Sequence, residues 1–189
     1  MFKKFVAVYM LIFFGFLSGN AQGTKDEDEK DKKEVLLFYK TEGFWHNSIP
    51  TGRTFIEDLG EDHDFEVTST KDADNFHSED LKKYDLVIFL NTTGNVFDEK
   101  EQEGFKNYIE NGGNFFGIHA AADTEGDWPW FVELVGGFFD GHPEVQQADI
   151  KLNMPKHPAV SHLPKVWTRT DEWYNYRNLN PKMQVLLYL

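Results

Sequence analysis

A histidine at position 119 stands where an α/β protein presents reactive side chains. The stretch Gly112–Thr124 (GGNFFGIHAAADT) has two glycines that end a helical pattern, a short apolar run, and then His119 with three alanines. The run Phe115–Ile118 predicts a short buried strand, and the small residues after it predict a tight turn. Such a turn lifts one side chain above the carboxyl edge of a parallel sheet, where ligands bind. His119 is therefore a candidate functional residue, although a histidine that only hydrogen-bonds nearby backbone would give the same pattern.

Two other polar segments are predicted to lie at the same edge of the sheet. Trp45 and His46 follow the first apolar run, and Thr93 lies in the turn after the third. Because the carboxyl ends of parallel strands meet in one crevice, we expect His46 near His119, with Thr93 and Asp123 at the rim. Two imidazoles and a carboxylate can hold a divalent metal or perform acid–base catalysis near neutral pH. Their wide separation in sequence leaves both alternatives open, and His46 could instead stack or cap beside Trp45.

The acidic and aromatic segment Asp171–Tyr174 (DEWY) is a second candidate region. Carboxylates hydrogen-bond sugar hydroxyls and aromatic rings stack on sugar faces, so this segment favours a carbohydrate ligand. An aromatic corner packed on the core would have the same sequence. The other histidines fall in polar or proline-rich connections, and we expect them to be surface residues without a role: His63, His77, His142, His157 and His162.

The elements that would position these residues alternate between strand and helix. Four strands are predicted, the last of them the central strand before His119: Glu34–Lys40, Phe65–Thr70, Tyr84–Asn91 and Phe115–Ile118. Two of the helices between them are predicted from Ser48 to about Leu59, with Ile49, Phe55, Ile56 and Leu59 facing inward, and from Asp98 to Asn111. This order predicts an α/β, flavodoxin-like doubly wound fold, with a mostly parallel sheet and helices on both faces.

The pattern is looser after Thr124. The sequence indicates a short helix at Trp128–Val135 and a strand at Gln147–Leu152, and it stops on the apolar run Met183–Leu189, which predicts another buried strand. A domain rarely ends on an apolar strand without further cover. We therefore expect residues 34–189 to form one α/β domain that is truncated at its C-terminus.

Composition excludes several classes of function. With 40% hydrophobic and 16% aromatic residues, the 189-residue chain can bury the core of one ordinary domain. The net charge of −13 argues against a nucleic-acid partner, since phosphate binding requires clustered lysine and arginine. The absence of cysteine excludes disulfides, thiolate nucleophiles and Cys-ligated zinc. A serine hydrolase is also excluded, because no G-x-S-x-G elbow is present.

The N-terminus has the pattern of a secretory signal peptide. Two lysines precede the apolar run Phe5–Leu17, and residues 18–21 offer small side chains for cleavage. The run is shorter than the roughly 20 apolar residues that span a membrane. We therefore expect residues 1–21 to be removed on export to the periplasm or the cell exterior, leaving no stable membrane insertion; a retained N-terminal anchor is the alternative. Residues 22–33 are mostly charged and predict a disordered linker.

Several of these segments, in this order, resemble the ThuA-like (trehalose utilisation) family of the class I glutamine amidotransferase-like superfamily. They are VLLFYKTEGFWHNSI, DLVIFLNTTG, GGNFFGIHAAADT, GGFFDGHP and TRTDEWY, and the resemblance covers essentially all of residues 34–189. GFWHNSI and GIHAA are fairly specific to the family. Amidotransferases of the superfamily carry a nucleophilic cysteine where this chain has His119, so glutamine amidotransferase activity is not implied. Family members usually continue beyond the point where this chain stops, which agrees with the expected truncation.

The resemblance implies the use of trehalose or related disaccharides through oxidised keto-glycosides, with a divalent metal in some members. It makes three residues the expected catalytic groups and metal ligands: His46, His119 and Glu172. Four more would contact the carbohydrate: Trp45, Thr93, Asp123 and Trp173. Zinc or manganese is the expected metal, and no nucleotide cofactor is expected. The expected function is cleavage or rearrangement of a keto-glycoside by metal-assisted acid–base chemistry, and the alternative is a sugar-binding module without turnover.

Overall fold

The structure is a computed structural model that describes residues 32–189. The predicted signal peptide, residues 1–21, and residues 22–31 of the predicted linker lie outside the described residues. Within the described part of the chain, none of the helices is both long enough and apolar enough to cross a membrane.

Strands and helices alternate through the first two thirds of the described chain. The described residues form eleven strands: β1 (Lys33–Phe38), β2 (Phe65–Thr70), β3 (Leu86–Leu90), β4 (Thr93–Gly94), β5 (Asn114–Ile118), β6 (Asp123–Thr124), β7 (Phe138–Phe139), β8 (Gln146–Leu152), β9 (Val166–Asp171), β10 (Tyr176–Arg177) and β11 (Leu187–Tyr188). The α-helices are α1 (Ile49–His63), α2 (Ser78–Leu81), α3 (Glu99–Glu110) and α4 (Pro129–Val135), with 3₁₀ helices at Ala73–Phe76 and His119–Ala122.

A four-stranded parallel sheet in the order β2-β1-β3-β5 forms the framework of the domain. One face packs against α1, where Ile49 and Ile56 join alternate residues of β1 and β3. The opposite face packs against the other helices, which contribute Leu81, Phe105 and Phe131 to a core rich in phenylalanine. The alternation of strands and helices therefore forms the predicted flavodoxin-like α/β fold with helices on both faces.

The strand before His119 differs from its prediction, because β5 is an edge strand of the sheet and not its buried centre. Successive side chains of a strand point to opposite faces. Phe115 packs against the phenylalanine-rich core, whereas Phe116 is 56% exposed. An apolar run identifies a strand but does not specify how many of its sides have neighbours, and β5 pairs on one side only, with β3.

Helix α1 begins where the sequence predicts but uses a different set of contacts. Ile49 and Ile56 are buried as expected, while Phe55 is 60% exposed, so its predicted inward position is wrong. Ser48 precedes the helix without capping it through its side chain. Gly60 is buried where α1 meets β2, and a Cβ there would lie 2.7 Å from the carbonyl oxygen of Phe65.

The helix predicted from Asp98 to Asn111 is confirmed as α3. Asp98 accepts hydrogen bonds from the backbone N–H groups of Lys100 and Glu101, while the Glu101 carboxylate accepts one from the Asp98 N–H. This reciprocal capping box satisfies donors that the first helical turn leaves free. Gly112, with φ of +95°, follows the helix in the left-handed region that glycine adopts easily.

The last part of the chain forms a small antiparallel sheet in the order β11-β8-β9. The predicted buried strand Met183–Leu189 is wrong: only Leu187–Tyr188 pairs, at the edge of this sheet, and Leu189 is 60% exposed. The antiparallel strand β9 matters for function because it ends at Asp171 and leads directly into Glu172 and Tyr174.

Candidate active site

The turn after β5 holds His119 in an uncommon backbone conformation. His119 has φ of +50°, in the left-handed region, and begins the 3₁₀ helix that continues through Ala120–Ala122. Histidine, asparagine and aspartate tolerate this region better than most residues, but such positions still cluster at functional sites. The three alanines are almost fully buried, so small side chains let the chain reverse close to the sheet edge. The predicted tight turn at His119 is confirmed.

Three side chains from distant parts of the chain meet above this edge. The Tyr174 hydroxyl lies 2.8 Å from Nε2 of His119 and 3.4 Å from Nε2 of His46. The two imidazole rings stand edge to face with their centroids 4.8 Å apart. The predicted proximity of His46 and His119 is therefore confirmed, and Tyr174 joins them.

Glu172 completes the group. Its Oε2 lies 3.5 Å from Nε2 of His119. His46, His119 and Glu172 each offer one ligand atom, and these atoms lie within 4.8 Å of one another. We call His46, His119, Glu172 and Tyr174 the candidate active site.

The candidate active site borders a small cavity of about 260 Å³. Aromatic, acidic and imidazole side chains line it: Phe44, His46, Asp123, Phe139, His142, Glu172 and Tyr174. Ligand pockets for drug-sized molecules span roughly 300–1,000 Å³, so this cavity suits one small ring. On its other side His119 borders a second cavity of about 410 Å³, lined mainly by apolar and small residues.

Burial favours the neutral form of both imidazoles. Desolvation is the main cause that lowers the pKa of His46, His119 lowers it further, and Glu172 opposes the shift. Desolvation also lowers the pKa of His119, against the opposing charges of Glu172 and Asp171. At pH 7 each ring can therefore accept a proton or offer a lone pair to a metal.

Two more groups at the cavity, Tyr174 and Asp123, have raised pKa values. Desolvation, reinforced by the Glu172 charge, raises the pKa of Tyr174 far above its ordinary value, so the phenol remains a hydrogen-bond donor. Burial also raises the pKa of Asp123, and the charge of Arg177 partly opposes that rise.

Comparison with protein families identifies the relatives of this chain. The sequence model of the ThuA family, described as trehalose utilisation, matches residues 34–189. The chain belongs to the ThuA family.

Two solved structures resemble this ThuA chain. A ThuA-like protein from Bacteroides uniformis has 28% sequence identity and a TM-score of 0.71, over 87% of this chain and 71% of that one. A ThuA-like protein from Parabacteroides merdae has 21% identity and a TM-score of 0.66, over 82% of this chain and 67% of that one, and this second likeness concerns the fold alone. No curated protein matches the chain.

The remaining predicted substrate contacts of the ThuA chain lie in three different environments. Asp123 lines the cavity. Thr93 is fully buried and donates a hydrogen bond to the carbonyl oxygen of Phe44, so it holds the His46 loop from behind. Trp45 stacks under Lys71 and Trp173 donates its indole N–H to the carbonyl of Gln146, and neither is among the residues lining the cavity.

Two polar residues that line the cavity were not predicted from the sequence. Tyr174 received no role of its own within the segment Asp171–Tyr174, although its hydroxyl makes the central contact. His142 was expected to be a surface residue without a role; it is exposed, but it lines the cavity and its ring stacks with Tyr174 at 5.8 Å. The motif FFDGHP contains Phe139 and His142, and its inclusion in the family resemblance was the available signal.

A buried glutamate lies in the segment that follows the turn at His119. Glu125 follows β6, is 1% exposed and has φ of +52°. Its Oε1 accepts hydrogen bonds from the backbone N–H groups of Val96 and Phe97 at 2.6 and 2.9 Å, and its Oε2 accepts one from Gln102 at 2.7 Å. Glu125 thus joins the segment after His119 to the segment after β4. Burial raises the pKa of Glu125, against these hydrogen bonds.

Proposed function

We propose that this ThuA protein is an exported enzyme that acts on an oxidised, carbonyl-bearing carbohydrate at the candidate active site, either by proton transfer from carbon to His46 or with a divalent metal that His46 helps to hold. The convergence of His46, Glu172 and Tyr174 on one small cavity carries the proposal, together with His119, whose Nε2 lies 2.8 Å from the Tyr174 hydroxyl. Membership of the ThuA family relates the protein to trehalose utilisation.

The first step of the proposed reaction is removal of a proton next to the sugar ketone. His46 lines the cavity, and its lowered pKa keeps the ring ready to accept that proton at neutral pH. The electron pair of the broken C–H bond moves towards the carbonyl oxygen as negative charge develops there. Tyr174, held by His119 at 2.8 Å, can turn its hydroxyl proton to that oxygen.

The second step breaks the glycosidic bond. When the deprotonated carbon is next to the anomeric carbon, its electron pair forms a double bond as the C–O bond to the leaving sugar breaks. The imidazolium at His46 then returns its proton to the departing oxygen, so the base is regenerated. Return of the proton to a neighbouring carbon instead would give a rearranged sugar.

The residues present also fit a divalent metal. Two histidines and a glutamate, with ligand atoms within 4.8 Å, form a donor set found in catalytic zinc sites. Nδ1 of His46 is buried and has no hydrogen-bond partner in the described part of the chain. An unpaired buried nitrogen costs about 1–3 kcal/mol, which a ligand would offset. When bound, zinc or manganese would polarise the substrate carbonyl, and His46 would then serve as a ligand and not as the proton acceptor of the first step.

The first experiment measures turnover of a keto-glycoside by the full chain. We expect His46→Ala and His119→Ala to lower the rate by about 10²–10⁴-fold, the usual contribution of general acid–base catalysis. His63→Ala, at the exposed end of α1, is the matched control and should keep the parent rate. Elemental analysis of the same four proteins should find one more equivalent of zinc or manganese in the parent and the control than in either active-site variant.

A sugar-binding module without turnover is the second candidate function. The rings of Phe44, Phe139 and Tyr174 in the cavity lining favour it, because aromatic faces stack on sugar rings. Calorimetry with the keto-glycoside separates the two functions. Binding by the parent without turnover would establish the module, whereas rate loss in His119→Ala with binding retained would establish the enzyme.

Export is proposed from the sequence of the N-terminus. Lysines precede the apolar run Phe5–Leu17, and small residues follow it. In a bacterial host that secretes proteins, we expect the mature chain to begin at Gln22 and to leave the cytoplasm. A full-length N-terminus in the cytoplasmic fraction, read by mass spectrometry, would refute export.

A further inference from the structure

A second group of ligand-type side chains lies away from the candidate active site. Asp74, His77 and Glu101 each offer one ligand atom, and these atoms lie within 4.8 Å of one another. Asp74 belongs to the 3₁₀ helix Ala73–Phe76, His77 directly follows it, and Glu101 lies in the first turn of α3. None of the three takes part in the proposed reaction.

Glu101 is a largely buried carboxylate within this group. It is only 7% exposed, and among residues 32–189 its Oε2 accepts a hydrogen bond from the Asp98 N–H. No lysine or arginine in that range forms an ion pair with Glu101 or Asp74. Buried charges in proteins are normally paired or bound to a metal.

The positions of the three ligands are fixed by the core beneath them. Phe76, Leu81 and Phe105 are each fully buried in the same cluster, so the segment that carries Asp74 and His77 packs firmly against α3. Rigid elements hold ligands closer to a binding geometry than mobile surface chains do.

We propose that Asp74, His77 and Glu101 bind a divalent cation of the zinc type, which links the 3₁₀ segment to the first turn of α3. One imidazole nitrogen and two carboxylate oxygens suit zinc and its neighbours in the first transition series. Calcium and magnesium prefer oxygen ligands throughout, so the imidazole selects against them. The site is structural: it stabilises the fold and leaves the chemistry at His46 and His119 unchanged.

The test is made in a background without the candidate active site. The full chain carrying His46→Ala and His119→Ala, without a polyhistidine tag, is titrated with Zn²⁺ alone by calorimetry. We expect one zinc equivalent to bind and the melting temperature to rise with added zinc. Because the background removes the first site, the result is independent of the proposed enzymatic function.

Two further variants in that background assign the ligands. His77→Asn removes the imidazole, and Glu101→Gln keeps an acceptor for the Asp98 N–H, so both should remain folded by circular dichroism. We expect each to weaken zinc binding at least about 100-fold, since even residues outside the ligand shell affect affinity by 10–100-fold. Glu99→Gln, which removes the same charge from an exposed position in the same turn, is the control and should bind as the background does.

Three results would overturn the proposal. Absence of zinc binding in the folded background protein would exclude the site. Binding that survives unchanged in both His77→Asn and Glu101→Gln would assign the zinc to other residues. Loss of binding in the control Glu99→Gln would attribute the effect to net charge and would overturn the proposal as well.

Discussion

Replacing Glu125 by alanine should destabilise the protein strongly, although the residue lies outside the cavity. The substitution removes the acceptor for the backbone N–H groups of Val96 and Phe97, and both of these residues are buried. Each buried donor left unpaired costs about 1–3 kcal/mol. We therefore expect Glu125→Ala to lower the free energy of unfolding by about 2–6 kcal/mol at pH 7, measured by urea denaturation with tryptophan fluorescence.

Glu125→Gln separates the hydrogen bonds from the charge. The amide oxygen can still accept both backbone N–H groups, so we expect the free energy of unfolding at pH 7 to stay within about 1 kcal/mol of the parent. Because burial raises the pKa of Glu125 in the folded state, the parent bears a charge cost that grows as pH rises through that pKa. The glutamine variant does not titrate, so its stability relative to the parent should increase from pH 4 to pH 7.

Two outcomes would refute this reasoning. If Glu125→Ala costs less than about 0.5 kcal/mol, the backbone donors of Val96 and Phe97 do not depend on this carboxylate. If Glu125→Gln is as destabilising as Glu125→Ala, the negative charge of Glu125 holds the segment of Val96 and Phe97, and not the position of its acceptor oxygen.

Three other substitutions test the site and the fold. Tyr174→Phe removes the hydroxyl at 2.8 Å from His119 and should lower kcat of keto-glycoside turnover about 10²–10³-fold with little change in KM. Glu172→Gln removes the charge that opposes the lowered pKa of His119, so NMR titration should find that pKa lower still. Gly60→Ala places a Cβ 2.7 Å from the carbonyl oxygen of Phe65 and should destabilise the fold by about 1–3 kcal/mol in urea denaturation.

For each of these substitutions, one result would contradict the expected outcome. An unchanged kcat in Tyr174→Phe would remove the phenol from the reaction. A higher pKa of His119 in Glu172→Gln would mean that the carboxylate does not act on the imidazole as a negative charge. Parent-like stability of Gly60→Ala would mean that α1 can move away from β2; Gly52→Ala, whose Cβ would meet the Leu90 side chain and not backbone, is the milder control.

The elements that sequence predicted well are those with a local signal. Apolar and polar residues alternate in Phe65–Thr70, which forms β2 within the predicted bounds. Asp98 precedes α3 as predicted and forms a capping box with Glu101 in the first turn of the helix. The turn at His119 was predictable because small residues follow an apolar run. These signals act within a few residues of the chain, so no knowledge of distant contacts is needed.

Features that depend on distant contacts were not predictable. Phe55 and Phe116 have the apolar character of core residues, yet each is more than half exposed, because sheet order and helix position decide which face is covered. Tyr174 is separated by 128 residues from His46, and no local pattern distinguishes it from Trp173 beside it. Neighbouring side chains on an extended segment point in opposite directions, and the sequence does not tell which of the two faces the histidines.

Within the candidate active site, Tyr174 lies 128 residues from His46 and 55 residues from His119 along the chain. Contacts of such high contact order form late in folding, because the entropy of closing long loops must be overcome first. The βα framework around β1 and β3 can form while Tyr174 is still far from the histidines. Recovery of sugar binding during refolding should therefore follow the return of helical circular dichroism, and a sugar at this site marks completed folding of the whole domain.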